Sequence, residues 1–252
     1  MQLLVHIRLD RPLVLPINYN HILQSVIYRA ISIVPDFGDF VHDCGYNRGG
    51  RQYKMFQFGQ LNGSYQIKAR KIIFDSQVSF EVRSPEPLLI RLMADSFHYY
   101  GITFGKTLYR DVELELFDYT VEESELVIRM KSPVTVYATD PVTGKTYYYD
   151  PDEAEFYGRL NDNFYRKYQA YYGIAPYKPL DISKNEGVKT RKIVTRYQNS
   201  YVTAWFVQLN LAGERRYLDF LYQTGLGAKN SQGFGMFEIV SVRKQLFCLI
   251  EL

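Results

Sequence analysis

Residues 225–240 read GLGAKNSQGFGMFEIV, four glycines within eleven positions followed directly by an apolar, strand-like tail. Just upstream, ERRYLDFLYQT (214–224) has the periodicity of an amphipathic helix. The local order is therefore helix, glycine segment, strand. A dinucleotide-binding turn needs the reverse order, strand to helix, and a glycine where Asn230 stands. A P-loop needs Gly-Lys-Ser/Thr, which this segment lacks. Two readings stay open. Gly225 can cap the helix while Gly227, Gly233 and Gly235 permit tight turns. Alternatively, the glycines let the backbone approach an anion, with Lys229, Asn230, Ser231 and Gln232 as donors.

Working back from this segment, the second half predicts strands in ELVIRMKSPVTVYA (125–138), TYYY (146–149), GVKTRKIVTRYQ (187–198) and YVTAWFVQLNL (201–211). A helix is expected over EAEFYGRLNDNFYRKYQAYYG (153–173). Asp150, Asp152, Glu153 and Glu155 crowd its start, where carboxylates suit the positive end of the helix dipole better than they suit a metal site. The first half opens with a strand, QLLVHIRL (2–9), and after Pro12 and Pro16 a helix begins near Asn20. Strand-like runs follow at YKMFQF (53–58), SYQIKA (64–69) and VSFEV (78–82), then a helix over PLLIRLMADSFHYYG (87–101) and a strand at VELELF (112–117). The order β-α-β-β-α-β emerges and recurs in outline. It predicts an α+β chain of two tandem ferredoxin-like domains, 1–120 and 121–252.

Composition narrows the class. The 252 residues are 46% hydrophobic and 23% charged, enough to bury real cores and too apolar for a disordered chain. A net charge of +3 is too small for bulk attraction to a polyanion, so an anionic partner must meet a local basic patch. The 23 tyrosines offer surfaces for base stacking. Cys44 and Cys248 are too few for a disulfide framework and lack metal-ligand spacing, and no apolar run reaches the roughly 20 residues of a membrane span. A soluble, cytoplasmic protein without metal or cofactor is expected.

The first helix carries an anomaly. At about 100° per residue, Ile22, Leu23, Val26, Ile27, Ala30, Ile31 and Val34 share one sector, whereas Tyr28 falls roughly 145° from its centre, with His21, Gln24 and Ser32. Such a tyrosine is either an amphipathic surface residue or a phenol presented to a ligand. Farther on stand His42 and Lys54, separated by a loop with Gly45, Gly49, Gly50, Arg48 and Arg51. His21 at the helix start suits a capping role or contact with a ligand. His6, in a strand, and His98, near a helix end, suggest no catalytic part.

The spacing G-x-G-x-x-x-x-x-G-x-G, after a helix and before the last strand, resembles the glycine-rich loop of the RAMP (repeat-associated mysterious protein) superfamily of CRISPR systems. Within it, GLGAKNSQGFGMFEI, YNHILQSVIYRAI (19–31) and KMFQFG (54–59) are similar to the CRISPR repeat-processing endoribonucleases. That family commonly carries a Tyr on the first helix, a His after it and a Lys opening the next strand. The resemblance carries these over to Tyr28, His42 and Lys54, with Arg51 as a substitute for Lys54. The implied reaction is attack of the RNA 2′-hydroxyl on the adjacent phosphate, leaving a 2′,3′-cyclic phosphate and a 5′-hydroxyl without a metal. Histidine suits the proton transfers, lysine the developing charge, and tyrosine the placement of the nucleophile or a share in proton transfer.

The implied partner is CRISPR repeat RNA, as a single strand or a hairpin; subunits of a CRISPR effector complex and a second copy of this chain are admitted as further partners. Contacts to RNA are expected from His21, Arg29, Arg48 and Arg51, and from Lys192 and Arg196, which strand alternation places on one side. Gly225, Gly227, Lys229, Asn230, Ser231, Gly233 and Gly235 are expected to form a platform for the RNA backbone, with cutting assigned to the other domain. The rival reading is a RAMP-fold subunit that binds CRISPR RNA without cutting it. A small-molecule enzyme would need a compact acid/base or cofactor constellation, and the chain offers none.

Overall fold

The computed structural model describes residues 1–198 and 200–242, with the backbone alone for His42, Ser241 and Val242. The first half contains β1 (Gln2–Arg8), α1 (Asn20–Ile31), β2 (Gln57–Phe58), β3 (Gln77–Arg83), α2 (Pro87–Tyr100) and β4 (Val112–Phe117). These strands form one antiparallel sheet in the order β4-β1-β3-β2. Alternation in β1 sends Leu3, Val5 and Ile7 to the helix-covered face, where they meet Leu23, Val26, Ile27, Ala30 and Ile31 of α1 and Leu89, Ile90, Met93 and Phe97 of α2. The apolar sector read from the sequence is the face α1 buries as far as Ile31, but Val34, counted in that sector, lies beyond the helix in extended backbone and is exposed. Pro87 opens α2, where a missing N–H costs nothing, and Gly101 ends it at φ 73°.

The second half repeats the arrangement with β5 (Glu125–Met130), α3 (Ala154–Tyr172), β6 (Asp181–Lys184), β7 (Gln208–Ala212), α4 (Arg215–Thr224) and β8 (Phe237–Val242). Its sheet runs β6-β7-β5-β8, again antiparallel throughout, so relative to their positions in the chain the strands of both sheets lie fourth, first, third, second. Leu126, Ile128 and Met130 pack against Phe156, Leu160 and Phe164 of α3 and against Tyr217, Leu218 and Leu221 of α4.

The run YVTAWFVQLNL is two strands and not one. Ser200–Phe206 pairs with Arg191–Tyr197 in a separate hairpin, and the chain changes sheets at Val207 before β7. An unbroken apolar run fits either arrangement, which is why periodicity missed the division. The acidic cluster before α3 is consumed locally. Glu153 accepts from the Asp150 N–H and the Tyr147 hydroxyl, Asp152 pairs with Lys184, and Asp150 accepts from Trp205 Nε1. Among the described residues no three His, Cys, Asp or Glu side chains are grouped to hold a metal. None of the described helices is long and apolar enough to cross a membrane. Cys44 is a free, exposed thiol, and Cys248 lies outside the described residues.

The halves meet through buried polar contacts. Glu81 on β3 pairs with Arg83 and with Lys131 of the second half. Burial alone would raise the Glu81 carboxyl, but the two cations outweigh it and hold the pKa below the usual carboxylate range. Arg83 also donates to the Phe237 carbonyl at 2.8 Å and lies 3.8 Å over the Tyr222 ring, while Gln57 Nε2 donates to the Tyr222 carbonyl at 2.7 Å.

Candidate active site

The glycine segment folds back on itself and then onto α1. All four of its glycines are buried with φ between 69° and 85°. A Cβ on Gly235 would stand 2.0 Å from the Leu226 carbonyl oxygen, one on Gly227 2.8 Å from the Thr135 oxygen, and one on Gly233 2.7 Å from Phe58. These glycines therefore serve close approach of the chain to itself. Gly225, Gly227, Gly233 and Gly235 do not form the open platform expected of them, and the solvent-reaching part of the loop is 228–232.

Asn230 is likewise spent inside the loop. Its Nδ2 donates to the Leu226 and Phe234 carbonyls, both at 3.1 Å, and its Oδ1 accepts from Lys167 Nζ at 3.1 Å. Lys167, buried on α3, donates as well to the carbonyls of Gly225 at 2.5 Å and Thr224 at 3.4 Å. Burial draws this ammonium down to about 7, while three oxygens match the three donors of its charged form. Lys167 thereby ties the end of α4 to the turn at Asn230. Sequence reading passed over it, although Leu160, Phe164, Lys167, Tyr168 and Tyr171 share one helical stripe, and a lysine among apolar and aromatic neighbours was a legible signal.

The loop covers the side of α1 that the first half of the chain leaves open. Gln24 Nε2 donates to the Ser231 carbonyl at 2.6 Å and Asn20 Nδ2 to the Gln232 carbonyl at 3.0 Å. The hairpin Arg191–Tyr197/Ser200–Phe206 adds Thr195 Oγ1 donating to Asn18 Oδ1 at 3.1 Å and a bond from the Tyr197 hydroxyl to Gln24. Tyr28 is accordingly half-buried, edge-to-face on Phe56 with ring centroids 5.7 Å apart. Burial first, and then the carboxylate of Asp43, push its phenol up to about 12, opposed by a hydrogen bond with Ser231. The expected separation of the glycine segment from the residues of the first half does not hold, because the loop touches Tyr28 directly through Ser231.

Lys54 does not open a strand as expected; it lies in the connection between the strand Arg51–Tyr53 and β2 and approaches the same place from there. It lines a cavity of about 400 Å³ together with Arg51, Tyr53, Lys167, Lys229 and Ser231. Burial lowers its pKa, and the charges of Asp43 and Cys44 oppose the shift. Asp43 and Cys44 belong to the π-helical turn Phe40–Cys44, which Gly45 terminates at φ 56°; a Cβ there would meet the Tyr53 carbonyl at 2.7 Å and the Lys54 side chain at 3.2 Å. This turn carries His42, whose side chain lies outside the described residues. Tyr28, Lys54 and the turn bearing His42 thus converge around Asp43, a residue that sequence reading did not single out.

The predicted binding residues divide. Lys229, in a left-handed conformation at φ 62°, holds its Nζ 5.3 Å from the Tyr137 ring centroid, and Arg51 lines the cavity. Lys192 and Arg196 lie on the exposed face of their strand, as alternation required. His21 Nδ1 lies 3.0 Å from the Asn18 carbonyl, which can only accept, so the ring donates there and closes the helix start. Arg48 donates to Gln169 on α3 at 3.0 Å, outside the cavity wall. Arg29 is placed apart, in a groove between α1 and α2 with Ile33 and Tyr100, because a residue next to Tyr28 points about 100° away on a helix.

Comparison with known proteins places this geometry. Residues 116–239 match the model for the C-terminal part of the CRISPR-associated protein Cas6. A CRISPR-associated endoribonuclease Cas6 of Methanocaldococcus jannaschii is 26% identical, over 97% of this chain and 95% of its own length. Its counterpart from Pyrococcus furiosus is 25% identical, over 91% of this chain and 85% of its own. A solved structure described as a CRISPR-associated protein Cas6 superposes with a TM-score of 0.77 at 23% identity, covering 96% of this chain and 99% of the other. In its glycine loop, its sheet arrangement and its sequence along nearly the full length, the chain is similar to the CRISPR-associated endoribonucleases Cas6.

Proposed function

We propose that this protein cuts CRISPR repeat RNA within the precursor transcript to release guide RNAs, by metal-independent attack of a 2′-hydroxyl. The observation that carries the reading is the convergence of Tyr28, Lys54 and the turn bearing His42 around Asp43, beside the exposed part of the glycine loop. The bond from the 2′-oxygen to phosphorus forms as the bond to the 5′-oxygen breaks. The hydroxyl proton goes to a base, and the leaving oxygen receives one. His42 serves these transfers, since imidazole titrates near neutrality. A phenol pushed up to about 12 is no base at neutral pH, so Tyr28 keeps its proton and orients the hydroxyl or a phosphate oxygen. Lys54, whose ammonium is disfavoured by burial and partly restored by Asp43, stabilises charge on the pentacoordinate phosphorus.

The common strand order supports reading the halves as tandem ferredoxin-like domains, 1–120 and 121–252, with the RNA lying where the glycine loop of the second meets α1 of the first. Lys229 and Ser231 are then the loop's direct contacts, while Asn230 and the glycines shape it. Lys192 and Arg196 would hold RNA farther from the cut. Replacing His42 with Ala is expected to lower single-turnover cleavage of repeat RNA by about 10²–10⁴-fold, with binding retained in a gel-shift assay. Wild-type protein that binds the repeat and never cuts it would instead make this chain an RNA-binding subunit.

A further inference from the structure

A second, smaller cavity of about 200 Å³ opens beside the one that holds Lys54. The two share Arg51, Tyr137, Thr139 and Asn163 in their walls, so they form a continuous groove. Three arginines line the smaller cavity, Arg51, Arg159 and Arg166, against one acidic residue, Asp162. Asp162 neutralises little of this charge. Among the described residues it pairs with Arg159, at 3.8 Å, and both side chains remain about half exposed to water. Arg159 and Arg166 project from α3 and were not among the residues expected to bind RNA.

We propose that this cavity is a second phosphodiester subsite, which holds a phosphate of the substrate strand other than the one being cut. Guanidinium presents planar pairs of donors that match phosphate oxygens, and three arginines around one small cavity suit an anionic phosphodiester better than a neutral ligand. Continuity with the Lys54 cavity makes the occupant a neighbouring segment of the same RNA. This subsite rests on the RNA-cutting reading above and extends it beyond the reacting phosphate.

The test uses the full chain, Arg166→Gln and, as a charge-matched control, Lys106→Gln, an exposed position in the turn between Ile102–Phe104 and Thr107–Tyr109. Affinity for a repeat RNA blocked by a 2′-deoxy substitution at the cut is measured across a salt series, and single-turnover cleavage of the all-ribose RNA at saturating protein. Arg166→Gln should weaken binding about tenfold at physiological salt. It should also flatten the slope of log affinity against log salt by about 0.7, the loss of one phosphate contact on a single strand. The saturated cleavage rate should stay unchanged, and Lys106→Gln should match wild type throughout. Unchanged affinity and slope in Arg166→Gln, with wild type cutting normally, would overturn the subsite alone. A fall equal to that of Lys106→Gln would overturn it too, as mere loss of net charge. Wild type that neither binds nor cuts the repeat would sink the RNA-cutting reading and the subsite with it.

Discussion

A repeat RNA with hydrogen in place of the 2′-hydroxyl just upstream of the cut will bind this protein nearly as well as the all-ribose RNA and will survive intact. The expected fall in single-turnover rate is at least about 10³-fold, some 4 kcal/mol of barrier. In the proposed reaction that oxygen is the nucleophile, and no side chain near Tyr28 replaces it. Binding should persist because the candidate contacts from Lys229, Lys192, Arg196 and the arginine-lined cavity fall on phosphates, which the deoxy substitution leaves in place. The measurement pairs a gel shift with a cleavage time course on the same two RNAs. Cutting of the deoxy RNA at the normal rate would remove the 2′-hydroxyl from the mechanism.

The second large effect is expected at Gly235. Its φ of 82° is unfavourable for any residue with a Cβ, and the added carbon would stand 2.0 Å from the Leu226 carbonyl oxygen and 2.5 Å from Asn230 Nδ2. The backbone here cannot give way freely. Gly235 donates to the Pro133 carbonyl at 3.0 Å and accepts from the Leu226 N–H at 2.9 Å. Gly235→Ala should therefore cost about 3 kcal/mol or more, a loss of roughly 6–12 °C in Tm for a chain of this size. Gly105→Ala is the internal comparison. Gly105 has a φ of 62° but nothing within 4 Å of an added Cβ, so conformational strain alone acts there and the cost should be about 1–2 kcal/mol. Denaturant unfolding of both variants separates the cases. Equal losses would mean that crowding inside the loop contributes nothing.

The contrast between these glycines shows where sequence reading reaches its limit. The helix, glycine segment, strand order and the alternation in β1 are local properties, and both were legible. Glycine spacing says that backbone must come close to something, and Leu226, Thr135 and Phe58 of the same chain are among the groups it approaches. The wheel of α1 correctly set Tyr28 apart from the core-facing sector. It could not show that the polar sector is covered by a loop some two hundred positions later, through Gln24 and Ser231. Contacts between distant segments leave no periodicity behind. Asp43 was invisible for the same reason, since nothing local distinguishes a surface aspartate from one that faces both Tyr28 and Lys54. Lys167 is different: its place on the buried stripe of α3 was readable, and a lysine there calls for acceptors, which the loop carbonyls supply. The placing of Tyr28, His42 and Lys54 as a set came from family resemblance, and the fold brings two of their side chains and the backbone of the third to one place.

The most direct test of the central claim is analysis of the RNA ends left when wild-type protein acts on repeat RNA in excess EDTA. Cleavage through the 2′-hydroxyl predicts efficient cutting there, a 2′,3′-cyclic phosphate on the upstream fragment and a 5′-hydroxyl on the downstream one. A requirement for Mg²⁺, or a 5′-phosphate on the downstream fragment, would contradict it.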